Sequence, residues 1–307
     1  MRMKRALIAG AAVLTLGGGI YYFAGDDIAQ RIGGVTTFIV RGKLVAPGRL
    51  RSVVGLTYGN ERQPRCGGAL IAPDMILTAA HCLCQHSPRF AFIGEDPFDP
   101  GNPARKLYYR LGASAPKSDP CADLEDPGMV DVAVVRVDGR VGVTPPLAFA
   151  DAATIDGAEQ FLVTGYGATD LGGTTTDFRK REAMVGAVSL RCPEPAETRY
   201  GCHREQEIVA GRPGTPDSCR GDSGSPLLIV HTIGDREEHL VAGLVSRGVK
   251  DVSGCGSGGV YERMTADTRA FIDEAVQRLR REAGGGSSTQ AALPGHNGGR
   301  NLPQKAP

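Results

Sequence analysis

Nine short β-prone runs, each closed by Gly, Pro or Asp turn residues, fill the chain between Ile39 and Tyr261 and limit what it can fold into. They occupy residues 52–58, 68–71, 75–79, 130–137, 160–164, 183–190, 226–231, 239–246 and 259–262. Runs of this length are too short for independent helices, and many short strands at regular spacing point to an all-β sandwich or barrel. The 43 Gly and 20 Pro residues, with no Trp, supply the turns that such a fold needs. The periodicity changes once, over residues 265–282, where Phe271, Ile272, Ala275, Val276 and Leu279 recur at helical spacing. Thr265 or Asp267 can cap the start of this helix and Gly284 can end it. No repeat at solenoid periods is present.

The two ends differ from this core. Met1 to Arg5 carries three cations ahead of a mostly apolar stretch from Ala6 to Gly25, the layout of an export signal. That stretch reaches the roughly 20 residues of a membrane span, so residues 1–25 read either as a cleaved signal or as an N-terminal membrane anchor. Residues 26–38 read as a propeptide or linker, 39–283 as the folded domain, and 284–307 as a disordered Gly/Pro-rich tail. A secreted or periplasmic location follows, and the eight cysteines, an even count, suit an oxidising compartment. A net charge of +1 gives no global field toward nucleic acid or anionic lipid, so partners have to be argued from sites.

Three separated segments carry candidate chemistry. His81 follows the run Leu77-Thr78-Ala79-Ala80 and is flanked by small residues. Asp131 stands at the mouth of Val132-Ala133-Val134-Val135-Arg136-Val137, with Asp123, Glu125 and Asp126 as close competitors. Ser223 lies in Asp217-Ser218-Cys219-Arg220-Gly221-Asp222-Ser223-Gly224-Ser225-Pro226, where glycines on both sides leave its hydroxyl uncovered. A serine needs a base to take its proton, an acid to orient that base, and N–H donors for the oxyanion. The N–H groups of Gly221 and Ser223 can serve as such donors. A zinc reading of His81-Cys82-x-Cys84-x-His86 lacks a second ligand pair at finger or ribbon spacing. An esterase reading of Gly221 to Ser225 lacks the final Gly and a histidine after the serine. No metal or other cofactor is expected.

In the order His, Asp, Ser, with Cys66-Gly67-Gly68-Ala69-Leu70-Ile71 before the histidine and Gly165-Tyr166-Gly167 midway, the chain resembles the trypsin-like serine peptidases of the chymotrypsin-fold family. The resemblance spans nearly everything from Ile39 to the C-terminal helix. It implies two packed antiparallel β-barrels with the triad between them, and an endopeptidase acting on proteins or peptides through an acyl-enzyme. A monomer is expected. A catalytically silent, peptidase-like binding module is the alternative, though no triad residue or oxyanion glycine is missing.

The resemblance further implies a primary specificity pocket with Asp217 at its base and Ser246, Gly248 and Gly259 along its walls, favouring Arg or Lys. Arg247 departs from the family, which usually has Trp there, and would favour acidic residues upstream of the cut. Maturation in the family frees an Ile ammonium to pair with the Asp before the nucleophile, here Asp222. Spacing to Cys66 favours Ile39, although Phe38 precedes it, while Ile32 follows the more easily cut Arg31. The resemblance pairs Cys66 with Cys82 and Cys219 with Cys255. Cys192 with Cys202 is suggested by the short loop between them, and Cys84 with Cys121 is what remains.

Overall fold

The computed structural model describes residues 39–284, apart from 60–61, 85, 100–106, 127, 143 and 235, together with 15–16 and 19–20, which form a short antiparallel pair. The rest of the expected export segment, the 26–38 linker and the tail beyond Gly284 lie outside the described residues. Among the described residues, no helix is long and apolar enough to cross a membrane.

Two closed antiparallel barrels make up the fold. After a short strand β1 (Lys43–Leu44), the first barrel is built from β2 (Val53–Thr57), β3 (Pro64–Ala72), β4 (Met75–Thr78), β5 (Phe90–Ile93), β6 (Leu107–Pro116) and β7 (Ala133–Val137). It closes in the order β2-β3-β4-β7-β6-β5. A two-residue strand β8 (Ala148–Phe149) and helix α1 (Ala152–Asp156) lead to the second barrel. This holds β9 (Gln160–Gly165), β10 (Arg181–Ser189), β11 (Glu207–Ala210), β12 (Pro226–Ile233), β13 (Arg236–Gly248) and β14 (Gly259–Arg263), with helix α2 (Glu194–Tyr200) between β10 and β11. Its path runs β13-β12-β9-β10-β11-β14 and closes through a β13–β14 pairing, with β8 beside β13 and β1 beside β10.

Strand alternation explains why the runs are apolar without a break. Successive side chains leave a strand on opposite faces. In β4, Ile76 joins Val54, Leu56, Leu70 and Val135 inside the first barrel. Its neighbours Met75 and Leu77 join Val53, Ala69 and Val134 in a second core shared with Phe161, Val163, Leu227 and Leu244 of the second barrel. Both faces of β4 are therefore dry. Full burial of each such side chain is worth about 1.5–3 kcal/mol, and the cost of exposing either face fixes the strand's register.

Helix α3 (Ala266–Gly284) leaves the second barrel and packs on β6 and β7 of the first. Of the two candidate caps, Thr265 is used: its Oγ1 accepts from the Thr268 N–H at 3.1 Å. The helix buries Thr268, Ile272, Ala275 and Leu279, the spacing of one face. Four disulfides join Cys66 to Cys82, Cys84 to Cys121, Cys192 to Cys202, and Cys219 to Cys255.

Candidate active site

The junction of the barrels brings His81, Asp131 and the Ser223 turn together. β4 ends at Thr78, and the chain curls into a tight 3₁₀ turn, Ala80–Leu83, that carries His81. Asp131 precedes β7, the strand beside β4, so the two residues meet at the same barrel mouth. The His81 N–H donates to Asp131 Oδ1 at 2.9 Å, and His81 Nδ1 lies 2.8 Å from Oδ2. Asp123, Glu125 and Asp126, the competing acids of the sequence, are all exposed at the surface. Asp131 itself is 1% exposed, and Ser246 donates its hydroxyl to Oδ2 at 2.6 Å. Burial pushes the Asp131 carboxyl up, but the hydrogen bonds from His81 and Ser246 and the attraction of His81 outweigh it and hold it below the ordinary aspartate range.

The second barrel delivers the serine. Ser223 accepts from the Gly67 N–H of β3 through its carbonyl at 2.7 Å, and the Gly224 N–H donates to Val245 of β13 at 2.8 Å. The turn is thus clamped between the barrels. Gly224 has φ of +75°, and a Cβ there would collide with Thr78 Oγ1 and lie 2.7 Å from the Gly67 carbonyl. Only glycine lets the Ser223 turn approach the segment that carries His81. Gly221 has φ of +95°, which turns the backbone between Arg220 and Asp222. Among the described residues, neither the Gly221 nor the Ser223 N–H has an acceptor.

The sequence model of the family described as Trypsin matches residues 39–272. The chain belongs to the trypsin family. It is 28% identical over 238 residues to the vitellin-degrading protease of Bombyx mori, covering 70% of this chain and 77% of that protein. It is 29% identical over 227 residues to trypsin epsilon of Drosophila erecta, covering 71% and 78%. A solved structure of neuropsin, a serine protease expressed in the limbic system of mouse brain, superposes with a TM-score of 0.60 at 20% identity, covering 76% of this chain and 98% of that one. At that identity the likeness concerns the fold, and it agrees with the two barrels and C-terminal helix expected from the sequence.

Within this trypsin-family domain, a cavity of about 390 Å³ opens beside Ser223 and is lined by Asp217, Ser218, Ser246, Gly248, Gly258 and Gly259 among others. Asp217 is 2% exposed; its Oδ2 accepts from the N–H groups of Gly256 and Gly258, both at 2.9 Å. Its Oδ1 is buried without a hydrogen-bond partner. Burial raises the Asp217 carboxyl above the ordinary value, only partly offset by those N–H groups. At Gly248 an added Cβ would meet open space. Ser246 lines the same cavity, but its hydroxyl is spent on Asp131.

Arg247 is where expectation and structure part. Its Nη1 and Nη2 bind Glu207 Oε1 and Oε2 at 2.6 and 2.9 Å, and Nη2 also reaches the Gly201 carbonyl. A guanidinium tied on two sides is not free to face an acidic substrate residue, so that expectation is withdrawn. Ile39 is buried and Val40 forms a β-bridge to Asp217, which lays the Ile39 end of the domain against the 217–222 segment. Arg31 and Ile32 lie outside the described residues. Asp222 is fully buried, accepts from the Gly167 and Cys219 N–H groups at 2.8 and 2.9 Å, and is pushed up to about 7 by burial. Cys66, His81 and Cys82 stand at metal-ligand spacing, but both sulfurs are committed to one disulfide.

Two acids, Glu207 and Glu262, had no place in the sequence reading, yet both are fully buried at this site. Glu262 Oε1 accepts the Asp131 N–H at 2.9 Å. The available signal was a charged residue at a core position of a strand run, Gly259-Val260-Tyr261-Glu262.

Proposed function

We propose that the chain is an active serine endopeptidase that cuts after Arg or Lys through an acyl-enzyme, with His81, Asp131 and Ser223 as its triad. The observation that carries the specificity is the buried Asp217 carboxyl at the wall of the cavity beside Ser223, whose Oδ1 has no hydrogen-bond partner among the described residues. A buried carboxylate oxygen without a donor is costly, and an incoming guanidinium or ammonium at the end of a long side chain relieves that cost.

The contacts around His81 and Asp131 support the following chemistry. With Nδ1–H donated to Asp131, the His81 ring presents Nε2 as a base. It takes the Ser223 proton as Oγ attacks the carbonyl, then returns that proton to the leaving amine. Asp131, held ionised by His81 and Ser246, stabilises the imidazolium formed in between. The Gly221 and Ser223 N–H groups, without acceptors in the protein, are available to the developing oxyanion. Release of an Ile39 ammonium to pair with Asp222 is the activation step that fits this reading. The four disulfides and the N-terminal sequence support an exported enzyme.

The test is a peptide library digested by the processed protein, with Ser223→Ala and Asp217→Ser beside the wild type. Cleavage after Arg and Lys is expected, lost in the first variant and shifted away from basic residues in the second. Arginine preference that survives Asp217→Ser would discard the pocket assignment. Absence of cleavage from protein with a free Ile39 terminus would favour a binding module.

A further inference from the structure

The floor beneath the triad acid is built from charged groups that the reaction as described does not use. Strands β11 and β14 pair so that Glu207 stands directly opposite Glu262. Both are within 1% of complete burial. Two buried carboxylates in register repel, and only one of them is compensated. Glu207 has Arg247 on both oxygens, the His203 N–H at 2.6 Å, and the His203 ring beside it. Glu262 has no cation bonded to it; Oε1 takes the Asp131 N–H and Oε2 has no hydrogen-bond partner. The charged groups facing it are Asp131 from the loop before β7, Glu207 from β11 and Arg247 from β13.

Burial and the Glu207 charge hold the Glu262 carboxyl well above the ordinary glutamate range. Arg247, which holds Glu207 in place against Glu262, also lines the substrate cavity.

We infer that Glu262 is a positioning residue for the triad. Its buried carboxyl fixes the main chain of Asp131, and the β11–β14 register sets it opposite the Glu207–Arg247 pair. This rests on the triad reading above, and the experiment separates the two.

Processed wild type, Glu262→Gln and Glu262→Leu are compared for kcat, KM and pH profile, with active sites counted by a serine-reactive phosphonate. Gln keeps an acceptor for the Asp131 N–H, so its kcat stays within a few-fold of wild type. Leu leaves the Asp131 N–H buried and unpartnered, and kcat per active site falls roughly tenfold or more at little-changed KM. If Leu does not fold, Glu262→Ala carries the same expectation. Equal kcat and superimposable pH profiles in all variants would overturn the inference. The low-field proton resonance of His81 Nδ1–H, bonded to Asp131, gives a readout independent of turnover. It is expected to shift in Leu and not in Gln. Protein that cannot cleave peptides but shows this pattern would retain the positioning role while refuting the peptidase reading.

Discussion

Around Asp131, three donors converge on one carboxylate, and one acceptor takes its peptide N–H. His81 contributes its N–H and ring, Ser246 its hydroxyl, and Glu262 takes the Asp131 N–H. Such a charge counts as stabilised only because nearly every lone pair is used; removing one partner leaves the rest buried and underpaid in hydrogen bonds. Ser246→Ala isolates one of these contacts, since the change fills no new space and leaves the backbone of β13 alone. A hydrogen bond to a charged group contributes about 1.5–3 kcal/mol, so kcat/KM is expected to fall by roughly ten- to a hundredfold. The loss belongs in kcat, with active-site titration unchanged. An unaltered kcat would mean that the His81 contacts alone hold the carboxylate.

At the scale of elements, what could be read from the chain depended on burial. Strands dry on both faces, such as β4, and nearly dry ones, such as β7 with only Arg136 interrupting it, announce themselves as apolar runs. Strands β5, β6 and β11 escaped: Phe90–Ile93 is only four residues, Leu107–Pro116 is diluted by Arg110, Gly112 and Ser114, and β11 opens on Glu207. His81 and Ser223 stood out in the sequence because small residues flank them, whereas Asp131 was marked only by its place before a β-branched run and by the order His, Asp, Ser. Glu262 did not stand out, because its partner Glu207 lies 55 positions away in sequence (262 − 207) and only the β11–β14 register brings them together. Helix α3 was legible from its spacing, but not where it docks. It leaves the second barrel and lies on β6 and β7, with Leu279 fully buried in the core shared by both barrels. Leu279→Ala should therefore cost about 2–5 kcal/mol of stability, read by chemical denaturation. A cost below 1 kcal/mol would mean that the helix end is not held on the first barrel.

For the molecule as a whole, the proposed pairing of a free Ile39 ammonium with Asp222 predicts a change in how stability depends on pH. Asp222 has its folded value pushed up to about 7 by burial, against about 3.9 in an unfolded chain. An acid whose folded value is raised contributes stability that is fully present below about pH 4 and is lost as pH rises through about 7. In the uncut chain, the contacts on its carboxylate are backbone N–H groups from Gly167 and Cys219, and the nearby Asp217 charge opposes ionisation. A free Ile39 ammonium would favour the ionised form and remove that loss. Asp217 is also raised by burial and is coupled to Asp222 by charge, so the difference between the forms reports the two acids together. The measurement uses Ser223→Ala protein, so that self-cleavage cannot intervene, melted between pH 4.5 and 8.5 before and after cutting ahead of Ile39 by an added peptidase. The uncut form should lose on the order of a few kcal/mol relative to the cut form across that window. Parallel curves would mean that Asp222 receives no ammonium, and the activation site would then have to be sought elsewhere.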